Sequence, residues 1–97
     1  MRDEMMTLID KLEIANIPFA AEADCYGGIH VMYPDDWKNG CKCSVISHKY
    51  SYGGREGLLE IMGLLTEEEE EWDEVVGYLT ADDVFARIYT DYMNFAD

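Results

Sequence analysis

Basic residues are scarce in this chain of 97 residues. Seven lysines and arginines stand against 21 aspartates and glutamates, which gives a formal net charge of −14 at pH 7. A negative potential of this size repels phosphate backbones and anionic lipid head groups. The composition therefore disfavours direct binding to DNA, RNA or a membrane surface, and it favours a basic protein partner.

The sequence also lacks a long apolar run and a basic leader. No uncharged stretch approaches the roughly 18 residues of a membrane-spanning helix, and residues 1–4 have neither the basic nor the apolar part of a secretory signal. Three cysteines, Cys25, Cys41 and Cys43, are an odd number that fits free thiols in a reducing compartment. We therefore expect a cytoplasmic protein without membrane association.

Internal repeats, linkers and low-complexity tracts are absent, apart from one run of glutamates. Apolar residues make up 48% of the chain and aromatic residues 12%, which is typical of a globular protein despite the charge. We expect residues 1–97 to form a single domain with one core, without disulfides or metal.

Helical spacing of apolar residues marks both ends of the chain. Met5, Leu8 and Leu12 predict a helix over about 3–16, which Pro18 stops. Thr80 is a good N-cap for a second helix over 81–95, with Asp83 completing a variant of the capping box. The predicted apolar stripe of this helix is Ala81, Phe85, Ile88, Tyr92 and Phe95. At i, i+4 spacing, Arg87 can pair with Asp83 and Asp91.

The middle of the chain predicts strands. Residues 19–26 and 29–33, split by Gly27-Gly28, predict a hairpin, and a loop over 34–40 follows in which Trp37 folds back onto the core.

A third strand is predicted over 43–49. Residues 58–65 fit a strand better than the alternative helix over about 56–65, because residues 75–79 need a pairing partner. In that strand both faces carry apolar residues, so both would need cover. The predicted fold class is α+β, with an N-terminal helix, an antiparallel sheet of about four to five strands and a C-terminal helix packed on the sheet.

The stretch "SYGGREGLLEIMGLL", followed by "VVGYLTADDVFARI", resembles short uncharacterised proteins carried by phages and prophages of Gram-positive bacteria. The resemblance covers about residues 44–90. It implies a cytosolic accessory protein of phage type, and it assigns no functional residue.

The glutamate run is the candidate binding segment. Its residues are Glu67, Glu68, Glu69, Glu70, Glu71, Trp72, Asp73 and Glu74. One interpretation is a solvated loop or helix start that keeps the domain soluble. The other is phosphate mimicry, in which carboxylates occupy the basic groove of a nucleic-acid-handling enzyme. An extended chain would place alternate carboxylates at steps of about 6.6–6.8 Å, twice the ~3.4 Å rise per phosphate of one DNA strand, whereas a helix would scatter them. Trp72 is either an interface anchor or a core residue that closes the turn.

The favoured function is therefore that of a non-enzymatic protein that binds a basic protein partner, without a cofactor, metal or catalytic residue. One alternative is a metal-binding or enzymatic domain built on Cys41, Cys43, His30 and His48, although a Cys-x-Cys spacing is shorter than that of structural zinc motifs. Another alternative is a homo-oligomer that associates through apolar faces of "LLEIMGLL".

Overall fold

The computed structural model describes residues 3–95 of the chain. Five strands and three α-helices form within these residues, and a single 3₁₀ turn lies at Gly54–Glu56. In chain order, the elements are α1 (Glu4–Ile14), β1 (Ala20–Ala23), β2 (Ile29–Pro34), β3 (Cys41–Ile46), β4 (Leu59–Met62), α2 (Glu67–Trp72), β5 (Val75–Leu79) and α3 (Ala81–Phe95).

The strands form one antiparallel sheet in the order β1-β2-β3-β4-β5, so each strand pairs with its neighbour in the chain. Val31 lies opposite Val45, and Val45 lies opposite Ile61. These aligned residues form an apolar row across the centre of the sheet. The predicted α+β fold, with a helix at each end of the chain and a five-stranded sheet between, is confirmed.

Both α1 and α3 contribute to the core that covers one face of the sheet. Leu8 and Leu12 of α1 and Val84 and Ile88 of α3 are each fully buried in the same cluster as the apolar row. Burying one such side chain contributes about 1.5–3 kcal/mol. The core therefore depends on both terminal helices.

Local capping fixes where the helices begin. The Asp3 carboxylate accepts a hydrogen bond from the backbone N–H of Met5 at 2.7 Å. At α3, the Asp83 backbone N–H donates to Thr80 Oγ1 at 3.2 Å, and the Thr80 backbone N–H donates to Asp83 Oδ2 at 3.0 Å. The predicted capping box is confirmed, and the bounds of α3 are those expected from the sequence.

The strand prediction for residues 58–65 is confirmed for Leu59–Met62, which pairs with β5 as expected. The expectation that both faces need cover is wrong. Leu59 and Ile61 are fully buried, whereas Met62 is 52% exposed. On the face opposite the core, Met32 is buried but Met62 is not, so the homo-oligomer alternative retains one exposed apolar side chain from this strand.

Two more predictions are wrong, one for the third strand and one for the loop that precedes it. The third strand spans Cys41–Ile46 and not 43–49. Tyr33 pairs with Cys43 and Pro34 with Cys41, so β3 carries one extra residue at this register shift and its pairing continues to Cys41. Trp37 does not fold onto the core and is 73% exposed. Asp36 holds this loop through its own hydrogen bonds to the backbone N–H groups of residues 38 and 39, without the indole.

The predicted side-chain pattern of α3 needs two corrections. Val84 belongs to the buried stripe, whereas Phe95 is 72% exposed at the end of the helix. Arg87 does not pair with Asp83 and Asp91 along the helix. It bonds instead to Glu69, while Asp91 accepts from Lys42 Nζ at 3.0 Å.

Candidate functional site

The glutamate run forms a short helix, and a capping box starts it. Thr66 Oγ1 accepts a hydrogen bond from the Glu69 backbone N–H at 3.2 Å, and Glu69 Oε1 accepts from the Thr66 backbone N–H at 2.9 Å. Carboxylates in the first turn also interact favourably with the positive end of the helix dipole. The extended form considered from the sequence is therefore wrong, and the carboxylates do not form a line with the spacing of alternate phosphates.

Arg87 ties this short helix to α3. Its two terminal nitrogens donate to the two carboxylate oxygens of Glu69 at 2.7 and 2.6 Å, and Nη1 also donates to the Leu64 carbonyl at 3.1 Å. The hydrogen bonds from Arg87, together with that from the Thr66 backbone, lower the pKa of Glu69 to about 2. The hydrogen bonds to Glu69 raise the pKa of Arg87. A helix of six residues is too short to be stable alone, so this bridge is its main anchor.

Glu69 therefore leaves the predicted binding set, because its charge is compensated inside the molecule. The other predicted acidic residues are all exposed, and none makes an ion pair with a basic residue in the described part of the chain. We call these six residues, with Trp72, the acidic surface. Its members are Glu67, Glu68, Glu70, Glu71, Trp72, Asp73 and Glu74.

Trp72 is the most exposed of the large apolar side chains in the described residues, at 88%. The alternative that it closes the turn as a core residue is therefore wrong. No residue of α2 is buried, so the helix contributes nothing to the core. An indole is costly to leave in water, and tryptophan is among the residues most enriched at the energetic centres of protein interfaces.

Two hollows adjoin the acidic surface. The smaller is a cleft of about 240 Å³ that is lined by Gly63, Leu65 and three acidic residues, Glu70, Asp73 and Glu74. The larger is a groove of about 560 Å³ between residues 64–66 and the second half of α3. Leu65 lines both hollows.

Sequence reasoning missed Leu65 and Arg87 as parts of the site. The available signal was that Leu65 directly precedes the N-cap Thr66, a position that often packs against the helix that follows. Arg87 gave no such signal, because its partner lies 18 residues away in the sequence.

The cysteine and histidine residues of the alternative site have separate surroundings. Burial raises the pKa of the Cys43 thiol to about 12, and Cys41 Sγ donates to the Cys43 carbonyl at 3.0 Å. His30 Nδ1 lies 3.7 Å from Glu22 Oε1, while His48 Nδ1 accepts from the Tyr50 backbone N–H. Within residues 3–95, no three histidine, cysteine, aspartate or glutamate side chains are placed to hold one metal ion.

No helix between residues 3 and 95 is both long enough and apolar enough to cross a membrane. Comparisons with protein-family models, with curated protein sequences and with solved structures found no match to this chain. Function is therefore inferred from the charge, exposure and hollows around α2.

Proposed function

We propose that this chain is a non-enzymatic accessory protein of phage type whose acidic surface docks on a basic protein. A host or phage enzyme that handles nucleic acid is the partner we propose. The observation that carries the proposal is a set of six exposed carboxylates, without basic partners in residues 3–95, beside a tryptophan that is 88% exposed.

Charge distribution supports a basic partner. Residues 1–54 contain eight acidic and five basic residues, whereas residues 55–97 contain thirteen acidic and two basic residues. One of those two, Arg87, is already paired with Glu69. Close carboxylates repel one another, so a cationic surface that docks here relieves this repulsion and is also attracted from a distance.

Because the glutamate run forms a short helix, it would compete with nucleic acid through its density of negative charge. It would not do so by matching the regular spacing of phosphates. Its carboxylates point in several directions around the axis, in contrast to the regular row of an extended strand. We propose that the surface fills a basic groove as a local concentration of negative charge, with Trp72 as its apolar anchor. Nucleic acid would then compete with this protein for the same groove.

A pull-down from bacterial lysate at low and at about 1 M salt tests the proposal, because the Debye length falls to about 3 Å at the higher concentration. Glu70→Gln/Glu71→Gln removes two charges from the acidic surface, and Trp72→Ala removes the anchor. Neither variant touches Glu69, so the bridge to Arg87 is kept. Glu13→Gln/Glu56→Gln is the matched control, since it removes two exposed charges elsewhere.

We expect capture of a specific basic protein at low salt, with loss at high salt and in both variants of the acidic surface. The control should capture it as the unmodified protein does, and circular dichroism should be the same for all. Equal loss in the control, or no salt-sensitive partner, would contradict the proposal.

A further inference from the structure

The lining of the groove beside α2 is mostly apolar. One side is lined by Leu64, Leu65 and Thr66, and the α3 side is lined by Ala86, Arg87, Thr90, Asp91, Asn94 and Phe95. The two charged residues among them are already paired, Arg87 with Glu69 and Asp91 with Lys42. Phe95 is 72% exposed, and both leucines are only partly buried although they pack on the core. The volume of about 560 Å³ is of the size that holds one or two side chains of a partner.

The neighbouring cleft differs from the groove in that three carboxylates line it. Glu70, Asp73 and Glu74 line it together with Gly63 and Leu65, and Leu65 also lines the groove. None of these three carboxylates pairs with a basic residue in the described chain. Because residues 3–95 contain no three such side chains placed to share one metal ion, the cleft fits a long basic side chain better than a bare cation.

We propose that the groove and the cleft together recognise a segment of the partner that presents an apolar side chain beside a lysine or arginine. The apolar side chain occupies the groove against Leu64, Leu65 and Phe95. The basic side chain reaches the three carboxylates of the cleft, past Leu65. This inference rests on the proposed function, and it adds that the basic partner is selected by an apolar residue as well as by its charge.

Charge complementarity identifies the occupant. An apolar groove alone would accept many hydrophobic segments, but an acidic segment would be repelled by the carboxylates at its border. Desolvation of Leu65 by the apolar side chain also lowers the local dielectric around the adjacent ion pairs, which strengthens them.

Two synthetic peptides separate the contribution of the groove from that of charge. The first alternates arginine with glycine, and the second is identical except that its central glycine is replaced by leucine. We expect the leucine peptide to bind about tenfold more tightly, as partial burial of one leucine predicts. Amide NMR signals of residues 64–65 and 86–90 should shift with the leucine peptide only.

Ala86→Phe fills the groove from the exposed side of α3 without replacing a core residue. Met93→Phe is the matched control, because Met93 is 58% exposed on the same helix and does not line the groove. The first variant should bind both peptides with equal affinity, whereas the control should keep the tenfold preference. Circular dichroism checks that both variants are folded.

The two proposals fail in different ways. If both peptides bind equally to the unmodified protein, or if Ala86→Phe keeps the preference, the groove is not a recognition site while the acidic surface still is. If neither peptide binds at low salt, the proposed function fails together with this inference. Loss of the preference in Met93→Phe would show that it does not depend on the groove, and would also overturn the inference.

Discussion

Replacing Glu69 by glutamine should weaken the anchor of α2 and leave its cap in place. Glutamine keeps an amide oxygen that accepts from the Thr66 backbone N–H, as in other capping boxes. It loses the charge and one of the two oxygens that Arg87 binds at 2.6 and 2.7 Å. The substitution therefore isolates the bridge.

The structure sets the size of the effect. The two side chains are 21% and 25% exposed, so the pair lies between an exposed ion pair, worth about 0–1 kcal/mol, and a buried one, whose disruption costs about 3–5 kcal/mol. We expect the free energy of unfolding to fall by about 1–3 kcal/mol. Lowering the pKa of Glu69 from 4.5 to about 2 corresponds to about 3 kcal/mol, which agrees with the upper end of this range.

The effect should depend on pH in a defined direction. Because folding lowers the pKa of this carboxyl, its stabilisation is complete above about 4.5 and disappears as the pH falls through about 2. Urea unfolding followed by far-ultraviolet circular dichroism should therefore show a difference between the variant and the unmodified protein at pH 7 that shrinks across this interval.

Asp82→Asn is the matched control. Asp82 pairs with Lys11 at 2.9 Å, but their side chains are 80% and 37% exposed, so its loss should cost less than about 1 kcal/mol. Equal losses for the two variants would refute the assignment of Arg87 and Glu69 as the anchor. A loss from Glu69→Gln that stays the same from pH 7 to pH 2 would also refute it.

Three further outcomes follow from burial and close packing. Ile61→Ala should lower the free energy of unfolding, measured with urea, by about 2–5 kcal/mol, because Ile61 is fully buried. Met62→Ala should cost much less, because Met62 is 52% exposed, and equal costs would contradict this difference in burial. Iodoacetamide should label exposed Cys25 in the folded protein, while buried Cys43, with its pKa raised to about 12, should react only on unfolding, so equal labelling by mass spectrometry would place Cys43 at the surface. In Gly54→Ala the new Cβ would collide with the His48 carbonyl, so the melting temperature should fall, and an unchanged value would contradict the packing of this turn.

Local signals predicted the terminal helices well. Thr80 satisfies a first N–H group of α3 within a few residues along the chain, so the bounds of α3 were predicted without knowledge of the fold. The first helix spans Glu4–Ile14 and not 3–16, with Asp3 outside it as the N-cap. The order of the strands was not predicted, because it depends on pairing across the fold, and the structure shows that each strand pairs with its neighbour in the chain. The start of β3 was not predicted, because the register shift near Lys42 depends on how β3 pairs with β2.

The candidate site was only partly predictable. The sequence located the acidic segment, but it could not decide between an extended and a helical form, or place Trp72 inside or outside. The groove also could not be predicted, because its walls come from residues 64–66 and from α3, which the sheet brings together.

The sequence by itself determined the excess of negative charge, its concentration after residue 55, the fold class and the bounds of α3. These depend on composition and on contacts between residues close in the chain. Only the tertiary structure decided that Arg87 compensates Glu69 and leaves the neighbouring carboxylates free of basic partners within residues 3–95. The physical reason is that an ion pair forms with the opposite charge that tertiary packing brings within reach. For Arg87 this is Glu69 of α2, and not an aspartate one turn away on its own helix.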